Sequence, residues 1–150
     1  MVKLQTLLQI LAWRIMIMIN WSQYPNFSED EFKCSATGRC EMNTTFLECL
    51  QILRNVYGKS MTITSGYRCP LEHPNEMHKR RPGSHAHGVA ADIAVSYNDA
   101  YDLLACAIEL NYFTGIGISQ KGDPASRFIH LDSATSNMLG GSLRPTIWSY

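Results

Sequence analysis

Two short stretches constrain this chain more than anything else in it: Gly83-Ser84-His85-Ala86-His87-Gly88-Val89-Ala90-Ala91-Asp92 and, further along, Arg127-Phe128-Ile129-His130-Leu131-Asp132. Together they offer two imidazoles and a carboxylate, His85, Asp92 and His130, from separate segments. Any fold that uses them as a set must bring those segments together. Such a set suits a catalytic zinc, because three protein ligands fill most of a tetrahedron and leave one position for water. Water bound there acidifies enough to act as a nucleophile near neutral pH. On a continuous helix His85 and Asp92 would share a face, but Gly83 and Gly88 argue against helix, and the spacing suits a loop feeding a strand. His130 and Asp132, two apart on a strand, point to the same face. Asp132 can therefore orient a histidine from behind or act on the bound water. On the residues alone a second reading stays open, with His85 and His87 as polar loop residues and Asp92 as a cap.

The bulk properties narrow the class. A chain of 150 residues, 45% hydrophobic and 17% charged, is long enough for one globular domain with a real core. Thirteen basic and thirteen acidic side chains cancel, so no single-sign field argues for nucleic acid or an anionic membrane as partner. The local basic run His78-Lys79-Arg80-Arg81 reads as a solvated loop. Five cysteines leave an odd one. Cys49 and Cys106 fall on apolar helix faces, while Cys34 and Cys40 flank a short loop that could carry a disulfide or half of a metal clip. Ordinary thiols in a reducing compartment are the expectation. Residues 1–20 are apolar with Lys3 near the start, like a signal peptide. Arg14 interrupts the run, no small-x-small site follows, and the apolar length falls short of a membrane span. A packing helix or a mis-called start is favoured over export, and the domain is expected over residues 21–150.

Along that domain, Ser28-Glu29-Asp30-Glu31-Phe32 reads as a short helical start with Ser28 as cap. Thr45-x-x-Glu48 matches a capping box, followed by Phe46, Cys49, Leu50, Leu53 and Tyr57 at helical spacing and Gly58 as the stop. Met61 to Ser65 alternates as a strand. A long irregular segment, Tyr67 to Ser84, has the length and composition of a functional loop. Ala90 to Val95 reads as a buried strand, and Ser96-x-x-Asp99 caps a second helix carrying Leu103, Leu104, Ala107 and Ile108. Gly115–Ser119 and Arg127–Asp132 read as two further strands separated by a turn at Gly122-Asp123-Pro124. The pattern is α+β, with its loops gathered near the candidate ligands.

Four segments carry a resemblance: Ser65-Gly66-Tyr67-Arg68; His85-x-x-Gly88-x-Ala90-x-Asp92; Phe128-Ile129-His130-Leu131-Asp132; and Arg144-Pro145-x-x-Trp148. From about Phe27 to Tyr150 the chain resembles the zinc D-alanyl-D-alanine carboxypeptidase family, in its compact phage and bacterial branch. The resemblance implies the hedgehog/D,D-peptidase fold, a small antiparallel sheet flanked by helices with a zinc site. It further implies His85, Asp92 and His130 as the zinc ligands, with Arg68 and Ser65 holding substrate. One position departs from the pattern. Many members carry an acid three residues before the last ligand histidine, where this chain has Arg127, which cannot act as a base. Asp132 and His87 are then the candidates for proton transfer, with Asp123 able to reach in from the preceding turn. His73 and His78, with Glu72 and Glu76, read as exposed loop residues.

The implied activity is zinc-dependent hydrolysis of a peptidoglycan stem peptide at a bond involving a D-amino acid, by a monomer that stays cytoplasmic until lysis if phage-encoded. The rival kept alive by Arg127 is a non-catalytic, zinc-stabilised wall-binding or virion module. A hydrolase of a non-wall amide is a third reading.

Overall fold

A computed structural model describes residues 18–150. The expected apolar leader, residues 1–20, lies outside the described residues except for its last three, of which Ile19 packs against the core. Among the described residues no helix is long and apolar enough to cross a membrane.

Three helices, α1 (Glu29–Phe32), α2 (Thr44–Tyr57) and α3 (Tyr97–Leu110), combine with five strands, β1 (Thr62–Ser65), β2 (Ala90–Ala94), β3 (Gly115–Ser119), β4 (Phe128–Asp132) and β5 (Thr146–Ser149). The Ser28 backbone N–H donates to Glu31 Oε2 at 2.7 Å, which closes the short α1 against fraying. The expected box at Thr45 and Glu48 does not form. Thr45 already lies inside the first turn of α2, and Asn43, in extended conformation, accepts from the Phe46 N–H at 3.0 Å instead. Gly58 ends α2 in the left-handed region, as its position after the last periodic residue predicts.

The hydrophobic faces of α2 and α3 cover one side of the sheet. Phe46, Leu47, Leu50 and Leu53 of α2 and Leu103 of α3 are fully buried with Ile93, Ile129 and Leu131 of the strands. Each such side chain contributes roughly 1.5–3 kcal/mol of burial. Because strand side chains alternate, the residues between these apolar positions face the other way, toward the loops.

Strand order is β1-β2-β4-β3-β5. Four of the strands pair antiparallel, as the sequence implies, and β5 adds a parallel partner to β3 that the sequence reading did not include. The chain leaves β4, loops through residues 133–145 and returns beside β3 in the same direction. The sheet is therefore mixed. Its register aligns one transverse row across all five strands: Ser65 opposite Asp92, Asp92 opposite His130, His130 opposite Gly117, and Gly117 opposite Trp148. Ser65, Asp92, His130 and Trp148 thus meet on one row, with a glycine making the gap.

Candidate metal centre

His85 arrives from the loop before β2, while Asp92 and His130 face each other across the β2–β4 pair. His85 Nε2 lies 3.2 Å from His130 Nδ1 and 3.3 Å from Asp92 Oδ1, and His130 Nδ1 lies 2.9 Å from the same oxygen. All three residues are buried. Among the described residues they form the one group of histidine, cysteine or carboxylate side chains arranged to hold a metal ion.

The surrounding hydrogen bonds fix which ring nitrogens carry protons. His85 Nδ1 lies 2.7 Å from the Gly66 carbonyl, which only accepts, so this nitrogen carries the hydrogen and Nε2 keeps its lone pair. His130 Nε2 donates to Asp132 Oδ2 at 2.9 Å, leaving the lone pair on Nδ1. Two imidazole lone pairs and a carboxylate oxygen therefore converge on one point. Ligand atoms at zinc bonding distance in a tetrahedron sit roughly 3.3 Å apart, close to the spacing found here. The donor set, its spacing and the outer partners that orient both rings fit a zinc ion with one open position.

Electrostatics keep both carboxylates of the cluster charged. Burial works against charge on Asp92, yet the His130 and His85 rings beside it outweigh that and hold the carboxyl well below the usual carboxylate range. Burial likewise opposes charge on Asp132, and hydrogen bonds from His130 and Arg144 overcome it, lowering its pKa. Burial depresses His85. In His130 burial is outweighed by the neighbouring Asp132 and Asp92 carboxylates, which raise its pKa. Both carboxylates have folded-state pKa values below those of the unfolded chain, so the unfolded state binds more protons in the interval between. Their stabilisation is complete above about pH 4 and is lost as pH falls through the folded values. Metal-free protein is accordingly expected to melt at progressively lower temperature as pH drops below about 4. An unchanged melting temperature across that range in differential scanning calorimetry would contradict it.

The remaining candidates separate. Arg68 Nη2 donates to Asp92 Oδ2 at 2.7 Å and its Nε donates to Ser65 Oγ at 2.9 Å, so Arg68 lines the cleft beside the metal group and Ser65 braces it. Asp132 is fully buried. Arg144 grips it through two nitrogens at 3.1 and 3.3 Å, and the Ala134 N–H donates to it at 3.0 Å. With both oxygens occupied and no exposure, it stands behind His130 and is not among the residues on the cleft walls. His87 is also not brought to the group: its Nε2 lies 3.1 Å from the Met138 carbonyl, and it lines a separate hollow with Met42 and Asn43. Asp123 caps the single turn Pro124–Ser126 by accepting from the Ala125 N–H. Arg127 binds the Gly122 carbonyl and stacks on Tyr97. Three residues before His130 is an odd step along extended chain, so that side chain faces away.

Several contributors were not foreseen. Trp148 packs on the His130 ring at 5.2 Å between centroids, and Arg144 stacks on Trp148 at 5.3 Å. Gly117 leaves room for the indole, and Gly115 does the same for Asp132: a Cβ at either position would collide with those side chains. Two glycines alternating within a strand were the available signal, since such glycines mark close approach. Glu76, expected to be exposed, is buried at 2% exposure and clamps its own loop. Cys34 faces Cys69 rather than Cys40, its Sγ accepting from the Cys69 N–H at 3.3 Å, and all five thiols are free.

The metal group opens into a cleft of about 490 Å³ whose walls include Arg68, Lys79, Arg81 and Arg144 and the rings of Phe128, Trp148 and Tyr150. An α+β sheet with helices on one face and a buried His/Asp/His group beneath a cleft on the other defines a metallopeptidase of the hedgehog/D,D-peptidase type. The model of the family described as Peptidase M15 matches residues 25–132, and the chain belongs to that family of zinc-dependent peptidases. No curated protein matches the chain.

Proposed function

We propose that this protein is a zinc peptidase that hydrolyses peptidoglycan stem peptides at a bond involving a D-amino acid, with His85, Asp92 and His130 as the zinc ligands. The observation that carries this reading is the convergence of His85 Nε2, His130 Nδ1 and Asp92 Oδ1 within 3.3 Å of one another in a chain of the M15 family. Zinc bound there supplies Lewis acidity toward the scissile carbonyl and an acidified water. The chain's own residues do the rest. Gly66 and Asp132 hold the two imidazoles in the orientation that presents their lone pairs. Arg68, steadied by Ser65, offers a guanidinium to a substrate carbonyl or carboxylate. Trp148 shields the His130 face from solvent.

A second reading, a zinc-stabilised wall-binding module, draws on one feature of the same cleft. Asp92 is the only carboxylate on its walls among the described residues, and Arg68 already pairs with it. A defined muropeptide incubated with the protein and followed by mass spectrometry separates the two. New termini that vanish on zinc chelation are the expected result. Binding without cleavage would favour the module, and cleavage by carefully demetallated protein would refute the zinc mechanism.

A further inference from the structure

Asp92 and His130 are held by the β2–β4 ladder, but His85 comes from a loop and depends on other anchors. It lies in a single turn, residues 84–88, which Gly83 opens. The Gly83 carbonyl accepts from the Ala86 N–H at 3.0 Å and from the His87 N–H at 3.2 Å. On its other side, the Gly83 N–H donates to Glu76 Oε2 at 3.1 Å. The middle and the far end of the turn are tied elsewhere: the His85 carbonyl accepts from the Arg68 N–H at 3.3 Å, and the Gly88 carbonyl from the Asn43 N–H at 2.9 Å. Glu76 is therefore the side chain that fixes where the ligand turn begins.

The Glu76 side chain has no exposure, although it belongs to a polar segment between Tyr67 and Ser84. Burying a carboxylate is costly unless its oxygens are partnered. Here Oε1 accepts from Lys79 Nζ at 2.7 Å while Oε2 takes the Gly83 N–H. Packing around this clamp is tight, since a Cβ on Gly83 would come within 2.9 Å of Lys79 Nζ and 3.3 Å of Glu76 Oε2. Gly83, Ser84 and His85 line the metal cleft, and Glu76 is not on its walls. Any influence of this carboxylate on the metal group passes through the turn.

We infer that Glu76 is a positioning residue for the metal centre: through the Gly83 N–H it sets the turn that brings His85 Nε2 to the point shared with Asp92 and His130. This rests on the reading of those three residues as the zinc ligands. Three substitutions test it. Glu76→Gln keeps an oxygen for the Gly83 N–H and removes the charge, while Lys79, about half exposed, turns to solvent. Glu76→Asp keeps the charge but withdraws it by one methylene from Gly83. Glu76→Leu removes the acceptor at similar volume. Zinc affinity is read by competition against a chelator, and the absorption bands of cobalt(II)-substituted protein report ligand geometry. In Glu76→Leu zinc affinity is expected to fall about tenfold with altered cobalt bands, the size of effect that follows loss of a group orienting a metal ligand. Glu76→Asp loses part of the affinity, and Glu76→Gln returns both readouts close to wild type. A clamp that only stabilised the fold would lower the melting temperature and leave the affinity and bands of folded protein unchanged. Wild-type affinity and bands in folded Glu76→Leu would thus overturn the inference, as would a Glu76→Gln protein no better than Glu76→Leu. If Glu76→Leu does not fold, Glu76→Asp binding zinc at least as tightly as Glu76→Gln overturns it. Wild-type protein that takes up neither metal would overturn the ligand reading and the positioning role together, whereas a bound metal indifferent to residue 76 counts against the positioning role alone.

Discussion

His85→Ala protein is expected to lose bound zinc and peptide hydrolysis together, with activity falling by at least about a thousandfold, since a metal contributes several kcal/mol of transition-state stabilisation. His85 is 5% exposed and supplies one of three donors, so its removal leaves two groups that cannot hold the ion alone. Alanine also strands the Gly66 carbonyl that the ring had satisfied, at a cost of about 1–3 kcal/mol. Circular dichroism must therefore show that the variant is folded before its activity is interpreted. Metal content by atomic absorption and hydrolysis by mass spectrometry should fall in step. A folded His85→Ala protein that keeps stoichiometric zinc would remove His85 from the ligand set.

Changing Asp132 should produce the second large effect, and its pattern discriminates between two roles. If Asp132 moved a proton for the reaction, Asp132→Asn would keep its zinc and slow turnover. Its position behind His130 and beneath Arg144 instead makes it the group that holds the ring. Asparagine keeps the volume but not the charge that favours a proton on His130 Nε2, and zinc affinity is expected to drop about 10–100-fold, as for other carboxylates that orient a metal-binding histidine. Asp132→Ala goes further, leaving the largely buried Arg144 guanidinium without a counter-charge, a loss of about 3–5 kcal/mol of stability. Competition against a chelator of known affinity measures the first effect and urea unfolding the second. Wild-type zinc affinity in Asp132→Asn would show that His130 does not depend on this carboxylate.

The ligand set was legible in the sequence because an imidazole or carboxylate inside an apolar strand is costly to bury without a purpose. His130 between Ile129 and Leu131, and Asp92 between Ala91 and Ile93, stand out on that ground alone. Strand positions were also readable from alternation: β3 lies over Gly115–Ser119 as expected, and β2 and β4 differ from their expected spans by one residue at an end. Side-chain destinations were not readable. Whether Asp132, His87 or Asp123 reaches the cleft depends on loop paths and on partners such as Arg144, which sits twelve residues beyond Asp132 and joins it only because β5 returns beside β3. β5 itself is four residues long and follows a proline, too short for its pattern to declare it. Glu76 looked like one more charge in a polar loop. Its burial follows from the loop folding around it, a property of no single residue.

The transverse row of the sheet has one more consequence, for how a finished molecule is told from a misaligned one. Strands alternate their faces with every residue, so a slip of one position between β2 and β4 would turn Asp92 toward the helices and leave His130 opposite alanine or isoleucine. The same slip would carry Ile93 off the core face, so hydrophobic burial already favours the observed alignment. A divalent ion adds a second, independent criterion. It can be captured only by the alignment that sets Asp92 beside His130, and its binding energy is added to that alignment and to no other. Zinc uptake would then act as proofreading for strand pairing, and the metal-loaded fraction of a preparation would count the correctly registered molecules.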